Sequence, residues 1–251
     1  MLGQYDDFTF VIQARTGSTR FPNKILHKFH NYTLLELIVL RIKKGFPNYK
    51  IIIATSNNKN DDVLCDVVNK HHVNLYRGHE NDVLERFYES AIEFHVKNII
   101  RIPSDNPLIP NSIIRRAIIA FQASDVDYCS TTLNKNFPIG IHVEVFSMNA
   151  LKIAHQKSSN RVEREHVTPY IYNNSTLFKI KMVEELVDYS DSYFTIDYES
   201  DLKILEEIAF SLDDIFEFDM IELYKLFKRK KSSNKLLNYT KTAIIEKKNY
   251  D

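Results

Sequence analysis

Phe8-Thr9-Phe10-Val11-Ile12, followed without a break by Gln13-Ala14-Arg15-Thr16-Gly17-Ser18-Thr19-Arg20-Phe21-Pro22-Asn23-Lys24, is the stretch from which the fold can be read. The apolar run has the aromatic and β-branched character of a buried strand. The polar loop behind it carries three cations, Arg15, Arg20 and Lys24, around Gly17, Ser18 and Thr19. The same alternation then recurs. Thr33-Leu34-Leu35-Glu36 has capping-box spacing, and Leu34, Leu37, Ile38 and Ile42 continue it at helical period. Strands are predicted at Lys50 to Thr55, Val73 to Tyr76 and Asn98 to Ile102, and helices at Asp61 to Lys70, Asp82 to His95 and Asn111 to Phe121. Strand and helix alternating at about 25 residues per unit imply an α/β protein with a mostly parallel, helix-covered sheet, a three-layer sandwich. Such sheets bind ligands at the carboxyl ends of their strands. That rule selects three polar turns: Gln13 to Lys24, Thr55 to Asn60 and Pro103 to Asn106.

The second half is less regular. Strands are expected at Asp127 to Leu133 and His142 to Phe146 around a turn with Pro138 and Gly140, and again at Phe178 to Val183 and Tyr193 to Ile196. Arg161 to Tyr172 reads as helix with a bend or end at Pro169, and Ser200 to Leu212 as an amphipathic helix. The organisation expected is one domain over residues 1–218, irregular over about 125–190, with a helical, basic tail over 219–251 that contains Lys228-Arg229-Lys230-Lys231.

Composition narrows the function. Lys+Arg and Asp+Glu are 33 each in 251 residues, which argues against a general nucleic-acid binder; the basic tail reads as a solvated helix end. Cys65 and Cys129 make no disulfide framework, no leader pattern opens the chain, and no apolar run suits a membrane span. A cytoplasmic protein is the expectation.

A triphosphate needs several cations and inward-facing backbone N–H groups, and the loop from Arg15 to Lys24 can supply both. Its spacing is not that of the ATPase P-loop. Charge alone does not choose between a phosphate grip and a solvated basic loop. Asp105, at the end of a strand, suits a hard cation, and it equally suits a turn before Pro107. Asp197 has the same two readings, near a metal or as a helix cap. His142 and Glu144 lack the accompanying motif a zinc site needs.

The segment Val11 to Lys24 resembles the signature loop of the cytidylyltransferases, and most of all the SpsF-like spore-coat polysaccharide branch, related to the enzymes that make CMP-activated 3-deoxy-octulosonate and sialic acid. The likeness continues in order through Ile53-Ala54-Thr55-Ser56, Arg77-Gly78, Asp82-Val83-Leu84-Glu85-Arg86 and Arg101-Ile102-Pro103-Ser104-Asp105-Asn106-Pro107-Leu108-Ile109. It then runs through Val143-Glu144-Val145-Phe146, Glu163-Arg164-Glu165-His166-Val167-Thr168-Pro169 and Thr195-Ile196-Asp197-Tyr198-Glu199-Ser200-Asp201-Leu202, so it spans about residues 8–210. The resemblance implies a GT-A-like nucleotide-diphospho-sugar transferase fold and Mg2+-dependent transfer of CMP from CTP to a small acidic acceptor, in a homodimer. It implies that Arg15, Arg20 and Lys24 neutralise the phosphates, with Asp105 counted among the catalytic groups. Asp105 and Asp197 would hold the metal. Gln13, Ala14, Gly17, Ser18, Thr55, Arg77, Gly78 and Asp82 would border the nucleotide, and Glu144, Arg164 and His166 would meet the acceptor.

The chain also departs from that branch. Pro138-Ile139-Gly140-Ile141-His142 stands where Pro-Asp-Gly-x-Asp is usual, and Pro103-Ser104 stands where a Gly commonly precedes the Asp. These changes bear on the acceptor and on a second metal. Two alternatives follow: a GT-A glycosyltransferase using Asp125-Val126-Asp127 as a D-x-D motif, and a non-catalytic nucleotide-binding protein.

Overall fold

The computed structural model describes residues 7–232. The remaining part of the expected tail, 233–251, and the first six residues lie outside the described residues. Four parallel strands form the centre: β1 (Phe8–Gln13), β4 (Lys50–Ser56), β5 (Asn74–Gly78) and β6 (Asn98–Pro103). Between β1 and β4 the chain makes a small hairpin, β2 (Lys28–Phe29) with β3 (Tyr32–Thr33), and the helix α1 (Leu34–Gly45). Thr33 caps α1 in the expected capping box, each side chain of the Thr33–Glu36 pair accepting the other's backbone N–H.

The rest of the chain extends the sheet. Helices α2 (Leu64–His71), α3 (Val83–Glu93) and α4 (Asn111–Gln122) join the parallel strands, and β7 (Tyr128–Ser130), β8 (Glu144–Ser147) and β9 (Ile180–Met182) complete the order β5-β4-β1-β6-β8-β7-β9. Strand β8 runs antiparallel to both neighbours, while β7 and β9 run with the central four. Helices α5 (Met148–Lys157), α6 (Arg161–His166), α7 (Pro169–Asn173), α8 (Glu199–Ala209) and α9 (Met220–Ser232) follow.

Alternation along each central strand feeds two cores. Phe10 and Ile12 of β1, Ile51 and Ile53 of β4, and Ile100 and Ile102 of β6 face a layer built by α1, α2, α4, α8 and α9. Val11, Ile52 and Ile99 face the opposite layer, built by α3, α5 and α7. Burial on both faces is what makes these strands continuous apolar runs rather than alternating ones. The architecture is the expected three-layer α/β sandwich.

Three expectations are adjusted by the structure. Tyr193 to Ile196 is not a strand: its amides divide between two segments, Phe194 N donating to Ile139 O (2.8 Å) and Ile196 N to Asp105 O (2.9 Å), so no single ladder forms. The break expected at Pro169 within 161–172 falls two residues earlier, at Val167, whose φ of 74° is a steric outlier for a β-branched residue, and Pro169 opens α7. Helix α2 starts three residues later than expected, after a 3-10 turn over Lys59–Val63.

Gly140 is fixed by geometry. Its φ is +95°, and a Cβ there would lie 2.3 Å from Phe194 C and 2.4 Å from Thr195 N. Those neighbours are backbone and cannot rotate away. Gly140→Ala is expected to destabilise the fold by about 2–5 kcal/mol, the sum of left-handed strain and overpacking. Urea unfolding reads it; a loss below about 1 kcal/mol would show that the turn over 138–142 yields easily.

Candidate active site

Strand β1 pairs with β4 on one side and β6 on the other, so successive crossovers leave β1 in opposite directions and its carboxyl end is a topological switch point. The loop 14–24 leaves from there, beside the segment 104–110 that follows β6. Thr16 is the hub of the loop. Its backbone N–H and Oγ1 both donate to Asp61 Oδ1 (2.7 Å each), and its carbonyl accepts from Ser18 N and Asn23 N (2.9 Å each). Ala14 N donates to Ala54 O, and Ser18 Oγ accepts from Phe21 N. The backbone N–H groups of Gly17, Thr19 and Arg20 make no hydrogen bond among the described residues.

The three cations differ in their commitments. Lys24 Nζ donates to Asp105 Oδ2 (3.0 Å) and Ile196 O (3.0 Å) and lies 3.9 Å from Asp197 Oδ1. Arg20 Nη2 donates to the same Asp197 oxygen at 2.8 Å. Arg15 is half-buried and makes no hydrogen bond or ion pair among the described residues. It sits close enough to the buried Arg86 to help lower the Arg86 pKa to about 10, after burial itself, the larger cause. Asp197 is held in turn: its N–H donates to Asp201 Oδ2 (2.7 Å), and Tyr193 Oη reaches both carboxylates.

Asp105 and Asp197 thus converge on one ammonium group. No cluster of three or more His, Cys, Asp or Glu side chains suited to a metal occurs among the described residues. Mg2+ asks for less, commonly one or two carboxylates with substrate phosphates supplying the rest. The two carboxylates fit that requirement.

Other expected site residues are engaged elsewhere. Glu144, expected at the acceptor, is 3% exposed and pairs with Arg101, while its second oxygen accepts from Tyr128 Oη and Thr168 Oγ1 (2.5 Å each). Burial opposes its ionisation, and Arg101, Thr168 and Tyr128 outweigh burial, so its pKa lies below the ordinary 4.5. Arg101 also donates twice to Gln13 Oε1 (2.8 and 3.2 Å), which leaves the Gln13 amide nitrogen as the group to offer a ligand.

Arg77, expected beside the nucleotide, closes the β4 turn: it donates to Ser56 O, Asn58 O and Asp62 Oδ1. Gly78 is needed for packing, because a Cβ would lie 2.8 Å from the Tyr76 ring and 3.3 Å from Arg86 Cγ. Thr55 is fully buried. Asp82 caps α3 and is bound by Arg164, so the residues expected to touch nucleotide and acceptor neutralise each other. His166 is exposed at the end of α6. Asp125 and Asp127 pair with Lys179 at the amino end of β7, across the sheet from the switch point, so the D-x-D reading loses its position.

Two further residues support the site without a local sequence signal. Asp61 reads locally as a helix-dipole charge, and nothing within five residues signals its contact with Thr16. Arg86 is 2% exposed and braces the turn after β5 through the carbonyls of His79 and Glu80.

A three-layer sandwich with a cationic loop at its switch point, facing paired carboxylates, defines a nucleotidyltransferase-like site. The cytidylyltransferase family model matches residues 9–241, and the chain belongs to that family of nucleotidyltransferases. It is 38% identical over 205 residues to an uncharacterized protein of Methanocaldococcus jannaschii, covering 81% of this chain and 83% of that one. It is 31% identical over 229 residues to the spore coat polysaccharide biosynthesis protein SpsF of Bacillus subtilis, covering 87% and 94%. Among solved structures, a cytidylyltransferase from Leptospira borgpetersenii superposes with a TM-score of 0.85 at 27% identity, covering 90% of this chain and 95% of that one. A CMP:2-keto-3-deoxy-manno-octonic acid synthetase complexed with CTP shares the fold, with a TM-score of 0.62 at 14% identity over 82% and 99%. No helix among the described residues is long and apolar enough to cross a membrane.

Proposed function

We propose that the protein transfers CMP from CTP to a sugar acid or a phosphorylated precursor of a surface polysaccharide. The observation that carries this reading is the loop 14–24 at the switch point, where the half-buried Arg15 has no counter-ion among the described residues and Lys24 of the same loop meets Asp105 and Asp197. A half-buried cation without a partner fits an anionic ligand. The relatives support the choice of CTP and of the acceptor class, since they include SpsF of Bacillus subtilis and a 3-deoxy-manno-octulosonate cytidylyltransferase of Photorhabdus laumondii.

In the proposed reaction an acceptor oxygen attacks the α-phosphorus of CTP. A new P–O bond forms, the bond to the bridging oxygen breaks, pyrophosphate leaves, and the acceptor proton passes to solvent. The protein has little covalent chemistry to perform. Arg15, Lys24 and the N–H groups of Gly17, Thr19 and Arg20, unbonded among the described residues, bind the β- and γ-phosphates and so stabilise the departing pyrophosphate. Gln13, oriented by Arg101, offers its amide N–H at the end of β1. Asp105 and Asp197 would hold Mg2+. That ion, when bound, supplies positive charge against the phosphates.

A pyrophosphate-release screen of four nucleoside triphosphates against sugar acids and sugar phosphates tests the reading. Release with CTP and an acidic acceptor, dependent on Mg2+, is expected. Release confined to another nucleotide, or none with any acceptor, overturns it.

A further inference from the structure

We infer that Asp61 is a positioning residue for the phosphate loop: its buried carboxylate fixes Thr16, and through Thr16 the two limbs that carry Arg15 and Lys24. This rests on the nucleotide reading above and assigns to it a side chain that touches no substrate. Asp61 is 2% exposed and lies 45 residues from the loop in sequence. One carboxylate oxygen takes both donors of Thr16, at 2.7 Å each. The other takes Ser56 N (3.3 Å) and Ser56 Oγ (2.5 Å) at the end of β4. The hub of the loop is therefore tied to the carboxyl end of β4 through one side chain.

Thr16 passes that constraint on. Its carbonyl receives Ser18 N from one limb and Asn23 N from the other, so the loop closes on Thr16 from both directions. Arg15 precedes the hub directly, Gly17 follows it, and Lys24 follows Asn23. Each group proposed to meet the β- and γ-phosphates is within one or two residues of an atom that Asp61 fixes, directly or through Thr16.

An anion beneath an anion-binding loop is otherwise unfavourable. Four donors converge on the carboxylate, so its charge is answered from within the protein. Burial raises the Asp61 pKa, and the bonds from Ser56 and Thr16 outweigh burial and hold it below the ordinary value. An amide at this position offers one acceptor oxygen and turns its own N–H donors toward other donors, so Asn cannot replace Asp here.

The test is calorimetric titration of CTP and CMP into wild type, Asp61→Asn, Thr16→Val and Thr16→Ser, with circular dichroism as a check of fold. CMP lacks the β- and γ-phosphates, so the CTP/CMP affinity ratio reports the loop. Asp61→Asn is expected to lower CTP affinity at least about tenfold and CMP affinity less than about threefold, the loss of a charge-assisted hydrogen-bond set. Thr16→Val, which loses one donor, should lower the ratio by about three- to tenfold, and Thr16→Ser should restore it. If Asp61→Asn does not fold, the Thr16→Val and Thr16→Ser pair decides by the same ratio. Equal loss for CTP and CMP, no loss, or Thr16→Ser as harmful as Thr16→Val overturns the inference. A wild-type protein that binds CTP no more tightly than CMP overturns the nucleotide reading and this inference with it.

Discussion

Lys24→Met is expected to lower turnover about 10²- to 10³-fold, the usual consequence of removing one preorganised group that stabilises developing negative charge. The lysine is only 12% exposed and stands between the carboxylates of Asp105 and Asp197, with Ile196 O fixing its third direction. The fold should survive. Arg20 still pairs with Asp197, and Asp105 reaches solvent with 31% of its side chain exposed, so the stability change should stay within about 2 kcal/mol. The sign of a second effect is informative. Without the ammonium group the two carboxylates attract other cations more strongly, so the nucleotide-free variant should bind Mn2+ more tightly than wild type. Steady-state kinetics, thermal melting and Mn2+ titration check the three parts. Unchanged turnover removes Lys24 from the reaction.

Glu144→Ala should have the largest effect on stability. The carboxylate is 3% exposed and is the common partner of Arg101, Tyr128 and Thr168. Removing it leaves a mostly buried guanidinium without its counter-ion and two hydroxyls without this acceptor, a loss of about 3–5 kcal/mol by analogy with other broken buried pairs. For a chain of this size that corresponds to a melting temperature lower by roughly 10 °C. The double substitution Arg101→Met with Glu144→Leu leaves no charge unpaired and should recover part of the stability. It also releases Gln13, so nucleotide affinity should fall even where the fold recovers. The pH dependence carries the same signature. Because the folded pKa of Glu144 lies below the ordinary 4.5, its contribution is complete above that value and is lost as pH falls below it. The acid limb of wild-type stability should therefore be steeper than that of Glu144→Ala.

These two residues also mark how much of the protein is legible in its sequence. The central strands are, because burial on both faces gives them unbroken apolar runs, and α1 is, because its capping box is local. The loop 14–24 is legible for the same reason: strand, glycine and cations are adjacent in the chain. The charged residues beyond it are a different matter. Arg101 meets Glu144 across 43 residues, Arg164 meets Asp82 across 82, and Lys24 meets Asp105 across 81. Each pairing depends on which strands become neighbours, and no local pattern encodes it. Residues that resembled ligand contacts were therefore found answering one another's charge, while Asp61, with an adequate local reading as a helix-dipole residue, turned out to hold the loop. The segment 193–196 illustrates the same limit. Its apolar character is that of a strand, yet its hydrogen bonds go to Ile139 and Asp105, two partners from different parts of the fold.

In the proposed reaction the loop from Arg15 to Lys24 receives the triphosphate at the switch point between β1 and β6. A crystal structure of the protein with CTP and Mg2+ tests it most directly. β- and γ-phosphate oxygens are expected within hydrogen-bond distance of Arg15 and of the Gly17 N–H, with Lys24 Nζ moved from Asp105 to the phosphates. A triphosphate bound away from this loop, or one seated there while Lys24 stays bonded to Asp105 and Ile196, would contradict it.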